Sequence, residues 1–346
     1  MITQVARNGI CGVAALFVVA LAAAGCGGGD NRQAAPAEHH LVYVAGESAN
    51  DTSVWIAGVD GAHPRKLSNG SAGVLSPDGR TVAVQRRGGG IDLLSADGKR
   101  SRQLTGRKLH PQMWSRDGKT LYATGAVGPA VVKLLALDTE SRRSRTIASG
   151  SLYGFDISPD GTQIAYSRAP EATDQGICGD QFDLYVADPD GSSKKRLTSD
   201  GLSAFPVWGD SGIAFSHFPS GRSLEDCSSP GIWTIDADGG EASPVIARAP
   251  ASIVLLGFYG FQPVGWLDEQ HLLIGLRSEF GTKAAVLDTK SRRLRQFDDY
   301  AEHASSDGRF YVGSGGDEGV ALTIRRVGDG QRMLRRQDAC CPSWNR

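Results

Sequence analysis

From residue 41 onward the chain is a succession of short apolar runs separated by polar, glycine-bearing turns, and no window keeps a 3.6-residue period. The runs favour β-branched and aromatic types, as in Thr81-Val82-Ala83-Val84, Thr120-Leu121-Tyr122-Ala123, Gln163-Ile164-Ala165-Tyr166 and Phe310-Tyr311-Val312. Before each of these stands the same kind of turn: Ser76-Pro77-Asp78-Gly79, Ser115-Arg116-Asp117-Gly118, Ser158-Pro159-Asp160-Gly161 and Ser305-Ser306-Asp307-Gly308. Degenerate copies follow Trp208 and Trp266, at Gly209-Asp210-Ser211-Gly212 and Leu267-Asp268-Glu269-Gln270. Asp-Gly between two β-rich runs predicts a hairpin, because Gly accepts the positive φ at which the strands reverse.

Each copy continues alike. A second run, a variable loop and a third run lead through an Asp/Gly turn to a basic strand, as in Leu184-Tyr185-Val186-Ala187-Asp188, Pro189-Asp190-Gly191 and Lys195-Arg196-Leu197-Thr198. The segments Leu137-Asp138-Thr139-Glu140-Ser141-Arg142-Arg143 and Leu287-Asp288-Thr289-Lys290-Ser291-Arg292-Arg293 agree at six of seven positions. Four strands per unit of roughly 40–45 residues predict an all-β β-propeller with almost no helix. The first unit, Leu41 to Gly70, lacks an inner-strand motif, whereas Cys341-Pro342-Ser343-Trp344 matches Pro263-Val264-Gly265-Trp266. The C-terminal strand is therefore expected to join the N-terminal blade and close a ring of seven blades over residues 41–346, about 44 residues each.

The Ser-Pro-Asp-Gly turns, Ile164-Ala165-Tyr166, Leu184-Tyr185-Val186-Ala187-Asp188 and Arg196-Leu197-Thr198 resemble the TolB-type WD40-like propeller repeat over nearly all of 41–346. The resemblance implies the fold; the family's role in the cell envelope is not carried over. It carries over neither a catalytic residue nor the separate α/β domain of that family, for which this chain has no room.

The first forty residues read as an address. Arg7 is the only charge before Asp30, and Ile10 to Ala24 is apolar apart from Cys11 and Gly12. Fifteen residues give about 22 Å of helix, short of a bilayer core of ~30 Å. A basic start, a short apolar stretch and small residues before a break describe an export signal over 1–25. Leu21-Ala22-Ala23-Ala24-Gly25-Cys26 resembles the bacterial lipobox, which implies cleavage before Cys26 and its lipidation. Residues 26–40 then form a flexible tether to the membrane. The expected location is lipid-anchored and extracytoplasmic, on the cell membrane or the outer membrane.

With 37 basic and 38 acidic residues, the chain lacks the basic face that nucleic acid requires. Its 40% hydrophobic content suits a packed core, and the 45 glycines follow no collagen period. Gly-x-Ser-x-Gly, His-Glu-x-x-His, Cys-x-x-Cys, a P-loop and a dinucleotide fingerprint are all absent from the sequence, so no catalytic set and no cofactor is assigned. The Arg pairs at 142–143, 292–293, 325–326 and 335–336 read as charges that keep outer strands from edge-to-edge pairing.

Aligning the units on Trp114, Trp266 and Trp344 places Ser71, His110, Tyr153, Ala204, Gln262, Tyr300 and Cys340 around one mouth of the ring. The long insertions 168–182, 217–231 and 253–261 belong to the same face, the last carrying Phe258 and Tyr259. His110, Tyr153, Gln262, Tyr300, Phe258 and Tyr259 are the candidate binding residues. In an exported chain, Cys178 and Cys227 are expected to join two neighbouring loops, and Cys340 and Cys341 to form a vicinal disulfide. Three readings stand. The first is a monomeric, non-catalytic module binding an envelope protein or peptide. The second is a small-molecule or glycan binder that stacks on Tyr153, Tyr300 and the 258–261 loop. The third is a metal-dependent lyase, implied by the likeness of such repeats to oligogalacturonate lyases, gathering His110, Gln262 and His217 or His303.

Overall fold

The computed structural model describes residues 40–46, 51–128, 131–169, 181–219, 230–248, 258–278, 281–305, 307–315 and 321–344, and no helix occurs among them. None of the described residues therefore belongs to a helix long and apolar enough to cross a membrane. The signal, the tether, Cys26, Cys178 and Cys227 lie outside this part of the chain.

The strands run in chain order through successive antiparallel sheets. The first holds β1 (His40–Ala45), β2 (Ser53–Gly58) and β3 (Arg65–Asn69). The second holds β4 (Ala72–Leu75), β5 (Thr81–Gln85), β6 (Ile91–Ser95) and β7 (Ser101–Thr105). Next come β8 (His110–Trp114), β9 (Thr120–Ala126), β10 (Val132–Asp138), β11 (Ser144–Ile157), β12 (Ile164–Ala169), β13 (Asp183–Ala187) and β14 (Lys195–Arg196). These seven form one sheet in the order β14-β13-β12-β11-β10-β9-β8. The 14-residue β11 explains its width: 144–150 pair with β10 and 151–157 with β12, so one strand ends one four-stranded unit and begins the next.

Three further four-stranded sheets follow. They comprise β15 (Ser203–Gly209), β16 (Gly212–His217), β17 (Pro230–Ile235) and β18 (Ser243–Arg248), then β19 (Phe258–Trp266), β20 (His271–Ser278), β21 (Gly281–Asp288) and β22 (Leu294–Tyr300). The last holds β23 (His303–Ala304), β24 (Phe310–Gly315), β25 (Ala321–Arg326) and β26 (Arg332–Gln337). The remaining strand, β27 (Ala339–Trp344), pairs with β1, giving the order β27-β1-β2-β3 with Leu41 opposite Trp344. β1 begins at His40, one residue before the expected boundary.

The turns repeat because the same side chains hold them. Ser76 Oγ donates to Asp78 Oδ1 at 2.6 Å and accepts from the Thr81 N–H at 2.9 Å, while Asp78 Oδ1 accepts from the Arg80 N–H at 3.0 Å. Ser115 with Asp117 and Ser305 with Asp307 make the same contacts, as does Ser158 with Asp160. Ser, Asp and Gly thus each meet a separate demand of one turn, two by hydrogen bonding and one by φ, +70° at Gly79.

Sheets pack face to face through apolar clusters. One joins Val74, Ala83 and Leu93 of the second sheet to Trp114, Leu121 and Leu135 of the next, with Trp114 Nε1 donating to Val74 O at 3.0 Å. Trp266 lies against Gly209, where a Cβ would come within 2.5 Å of the ring, so the Trp208-Gly209 pair makes room for the neighbouring sheet. Arg336 departs from its expected solvent role: its guanidinium lies over Tyr43 and Trp55, 5.2 and 4.6 Å from their centroids, and donates to Tyr43 Oη at 2.6 Å. It links β26 to the first sheet by cation–π contact.

Candidate binding site

The first strand of each unit is the innermost, and five of these strands carry an irregularity at corresponding places. The register shifts between Pro111 and Met113 in β8, Leu152 and Phe155 in β11, Ala204 and Val207 in β15, Pro263 and Gly265 in β19, and opposite Val42–Val44 in β27. Phe205 and Cys341 reach φ of +55° and Gly154 +89° to make them. A bulge inserts a residue and breaks the in–out alternation, so it re-aims side chains.

A cavity of about 210 Å³ opens where these strands converge, lined by Gln112, Gly154, Phe155, Asp156, Phe205, Pro206, Gln262, Val264, Glu302 and His303 among others. A narrower one of about 40 Å³ shares Gln112, Met113 and His303 and continues to Val74, Leu75, Ser343 and Trp344. Together they touch the innermost strand of every unit. Two larger depressions, about 850 and 660 Å³, lie among turn residues instead. The polar groups of the larger are already engaged there: Asp138 accepts from the Glu140 and Ser141 N–H groups, and Arg145 pairs with Asp190 at 3.7 Å.

The polar groups around the smaller cavity differ in what they have left to offer. Asp156 is committed to the scaffold, its Oδ1 accepting from the Ile157 N–H and its Oδ2 from the Trp208 N–H of the next unit, both at 2.9 Å. Gln112 Nε2 donates to Thr124 Oγ1 at 3.0 Å and lies 3.2 Å from His110 Nδ1, while no described residue donates to its amide oxygen. Gln262 makes no side-chain hydrogen bond with any described residue. Glu302 Oε1 accepts from the Ser314 N–H at 3.1 Å and from Ser314 Oγ. Burial pushes the Glu302 carboxyl above its ordinary range, and the two bonds from Ser314 offset part of that rise.

Of the expected mouth residues, Gln262 lines this cavity. His110 is exposed at the start of β8 and reaches it only through Gln112. Tyr153 is half-buried against Phe182 and Phe205, with ring centroids 5.2 and 6.3 Å away. Tyr300 is buried, its ring filling the space beside Gly315 on β24. Both tyrosines are therefore packing residues, not open stacking surfaces. The side chains of Phe258 and Tyr259 lie outside the described part, and Phe261 is core. The vicinal bond expected between Cys340 and Cys341 is not made: both are free cysteines. Cys341 sits at the bulge with φ +55°, and the neighbouring thiols move apart in acidity, Cys340 downward and Cys341 upward, each mainly through the other. Gln112 and Glu302, each two positions after the chosen column, went unrecognised because the alignment took a single position per unit.

The donor set for a metal does not assemble. No group of three His, Cys, Asp or Glu side chains suited to an ion occurs among the described residues. His217 is held elsewhere, with Nε2 2.7 Å from Asp200 Oδ2 and its ring stacked 4.2 Å from Trp233. Burial acts to raise the Asp200 carboxyl, yet its bonds with His217 and the Leu202 N–H keep it below the usual range.

No family model and no curated protein sequence matches the chain. Solved structures do. The chain is similar to TolB from Acinetobacter baumannii, with 13% identity over 90% of this chain and 67% of that one and a TM-score of 0.53. It is similar to the β-propeller domain of the trilobed protease from Pyrococcus furiosus, described as having an open velcro topology, with 12% identity over 85% and 92% of the chains and a TM-score of 0.61. It is also similar to oligogalacturonate lyase from Vibrio parahaemolyticus, with 14% identity, 87% and 85% coverage and a TM-score of 0.55. Against an acylaminoacyl peptidase it spans half of the other chain, at 14% identity and a TM-score of 0.60. At these identities the likeness is one of fold: the chain forms a TolB-like β-propeller.

Proposed function

We propose that this protein is an exported, lipid-anchored propeller that binds an envelope protein or peptide at its inner-strand cavity and catalyses no reaction. In this reading residues 1–25 are the signal, Cys26 carries the lipid and 26–40 hold the propeller off the membrane. The ring has seven blades, since counting β11 in both of its units gives seven sets of four strands. Pairing of Leu41 with Trp344 then closes it. A Cys178–Cys227 disulfide would tie two loops beside the mouth and reduce the ordering cost of binding.

The observation that carries the reading is the cavity itself. It combines apolar walls with hydrogen-bonding groups that the fold leaves unused, on strands braced by a rigid scaffold. The lyase reading needs a donor set that the described residues do not bring together. Glycan stacking loses Tyr153 and Tyr300 to packing.

Site-specific photocrosslinking in intact cells tests the proposal. A benzoylphenylalanine at position 110, beside the cavity, is expected to yield a discrete envelope-protein adduct, and one at position 335, on an outer strand, is not. Adducts of equal yield from both positions, or none from 110, overturn it. Cys26→Ser in the same cells is expected to move the protein to the soluble fraction.

A further inference from the structure

Resting on the reading of the cavity as a peptide-binding site, we infer that it is a subsite for one cationic side chain, the lysine or arginine of the partner peptide. Size, wall chemistry and charge agree. A volume of about 210 Å³ holds a single long side chain. Phe155, Phe205, Pro206 and Val264 present apolar surface suited to a methylene stem, which lysine and arginine bury while their charged ends seek acceptors. No lysine or arginine lines the cavity among the described residues. Its ionisable groups are Asp156, Glu302 and His303.

The acceptors that remain are oxygens. Asp156 is consumed by two backbone N–H groups. Glu302 spends Oε1 on Ser314, and no described residue donates to Oε2. Gln112 has its amide nitrogen committed to Thr124 and His110, which leaves its carbonyl oxygen, and the Gln262 oxygen has no bond from any described residue. One carboxylate and two amide oxygens suit the donors of an ammonium or guanidinium group and repel an anion. A bound cation would also relieve the burial of the Glu302 charge, the same burial that raises its carboxyl.

Two amino-acid probes test the subsite without knowledge of the partner: N-acetyl-lysine methylamide and its uncharged counterpart, N-acetyl-norleucine methylamide. Titrated into the purified propeller and followed by the side-chain amide NMR signals of Gln112 and Gln262, the lysine probe is expected to saturate at millimolar concentration. It should bind at least tenfold more tightly than the norleucine probe. Glu302→Gln should remove that difference. Gln262→Ala, which removes a side chain that bonds to no described residue, should weaken lysine binding severalfold and guards against misfolding of the first variant. Equal shifts from both probes, or no shift of either amide, overturn the subsite. A displayed random-peptide library separates the two proposals. Captured peptides without enrichment in lysine or arginine defeat the subsite alone, whereas capture of no peptide, with the lysine probe still binding, defeats the peptide-binding function alone.

Discussion

The two ends of an inner strand follow opposite rules. At the end that meets the Ser-x-Asp-Gly turn, the Ser and Asp side chains find partners a few residues away, and four copies make the same bonds. At the other end the strands bulge, Phe205 and Cys341 occupy a left-handed conformation, and Glu302, Gln112 and Gln262 keep hydrogen-bonding capacity that the fold does not use. Ionisation divides the ends in the same way. Hydrogen bonds from Ser115 and the Lys119 N–H hold the Asp117 carboxyl below its ordinary range, and Ser158 and the Thr162 N–H do so for Asp160. Burial moves Glu302 upward. Local bonding builds the scaffold at one end, and the other keeps hydrogen-bonding capacity that a partner can use.

The largest effect should come from the C-terminal strand β27, which pairs with β1. Trp344 is 4% exposed and packs with Leu41, Tyr43 and Leu322. Trp344→Ala removes that packing and leaves a hole between the terminal sheets, so a loss of about 3–4 kcal/mol is expected in urea denaturation. A loss under about 1 kcal/mol would mean that β27 is not integral to the fold.

A smaller effect separates the turn end from the mouth. Ser76→Ala removes the bond to Asp78 and strips the Thr81 N–H of its acceptor, at a serine that is 3% exposed. A loss of about 1–2 kcal/mol is expected by the same assay, with the lysine-probe affinity unchanged. Acid should weaken this end generally. The folded-state carboxyls of Asp117 and Asp160 are depressed, so their contribution is present above the unfolded value near pH 4 and fades as pH falls through the folded one.

The turn end was legible in the sequence and the mouth was not, for the same reason. Ser76, Asp78 and Gly79 act on neighbours within five residues, so their spacing survives in four copies and announces the hairpin. The match of the 341–344 segment to 263–266 likewise led to the Leu41–Trp344 pairing, because an inner strand needs the same apolar face wherever it enters the chain. A cavity residue depends on five strands at once. His110, Tyr153 and Tyr300 were chosen by aligning the units on a tryptophan column, which picks one position per unit. The cavity takes Gln112 and Glu302 two positions later, and Glu302 has no polar counterpart in most copies, where Val264, Pro206 or Pro342 stands in its place. Cys340 and Cys341 were paired by adjacency alone, whereas both are free thiols on the bulged strand.

The smallest effect on stability is also the one whose sign discriminates best. Glu302→Gln keeps an oxygen that can accept from Ser314 but removes a charge that burial penalises. Because the folded carboxyl is raised above its unfolded value, ionisation costs stability: the favourable contribution is complete below the unfolded pKa and disappears as pH rises through the folded one. The variant should therefore melt at a higher temperature than the parent at pH 7, and the gap should close as pH falls toward 4 and the parent's carboxyl takes up its proton. The lysine probe should bind the variant more weakly over the same range. A residue whose neutral replacement strengthens the fold and weakens the ligand is held in place by binding, not by folding. Should Glu302→Gln instead lower the melting temperature at pH 7, Glu302 belongs with the turn aspartates as part of the scaffold, and the contrast between the two ends of the strand no longer extends to it.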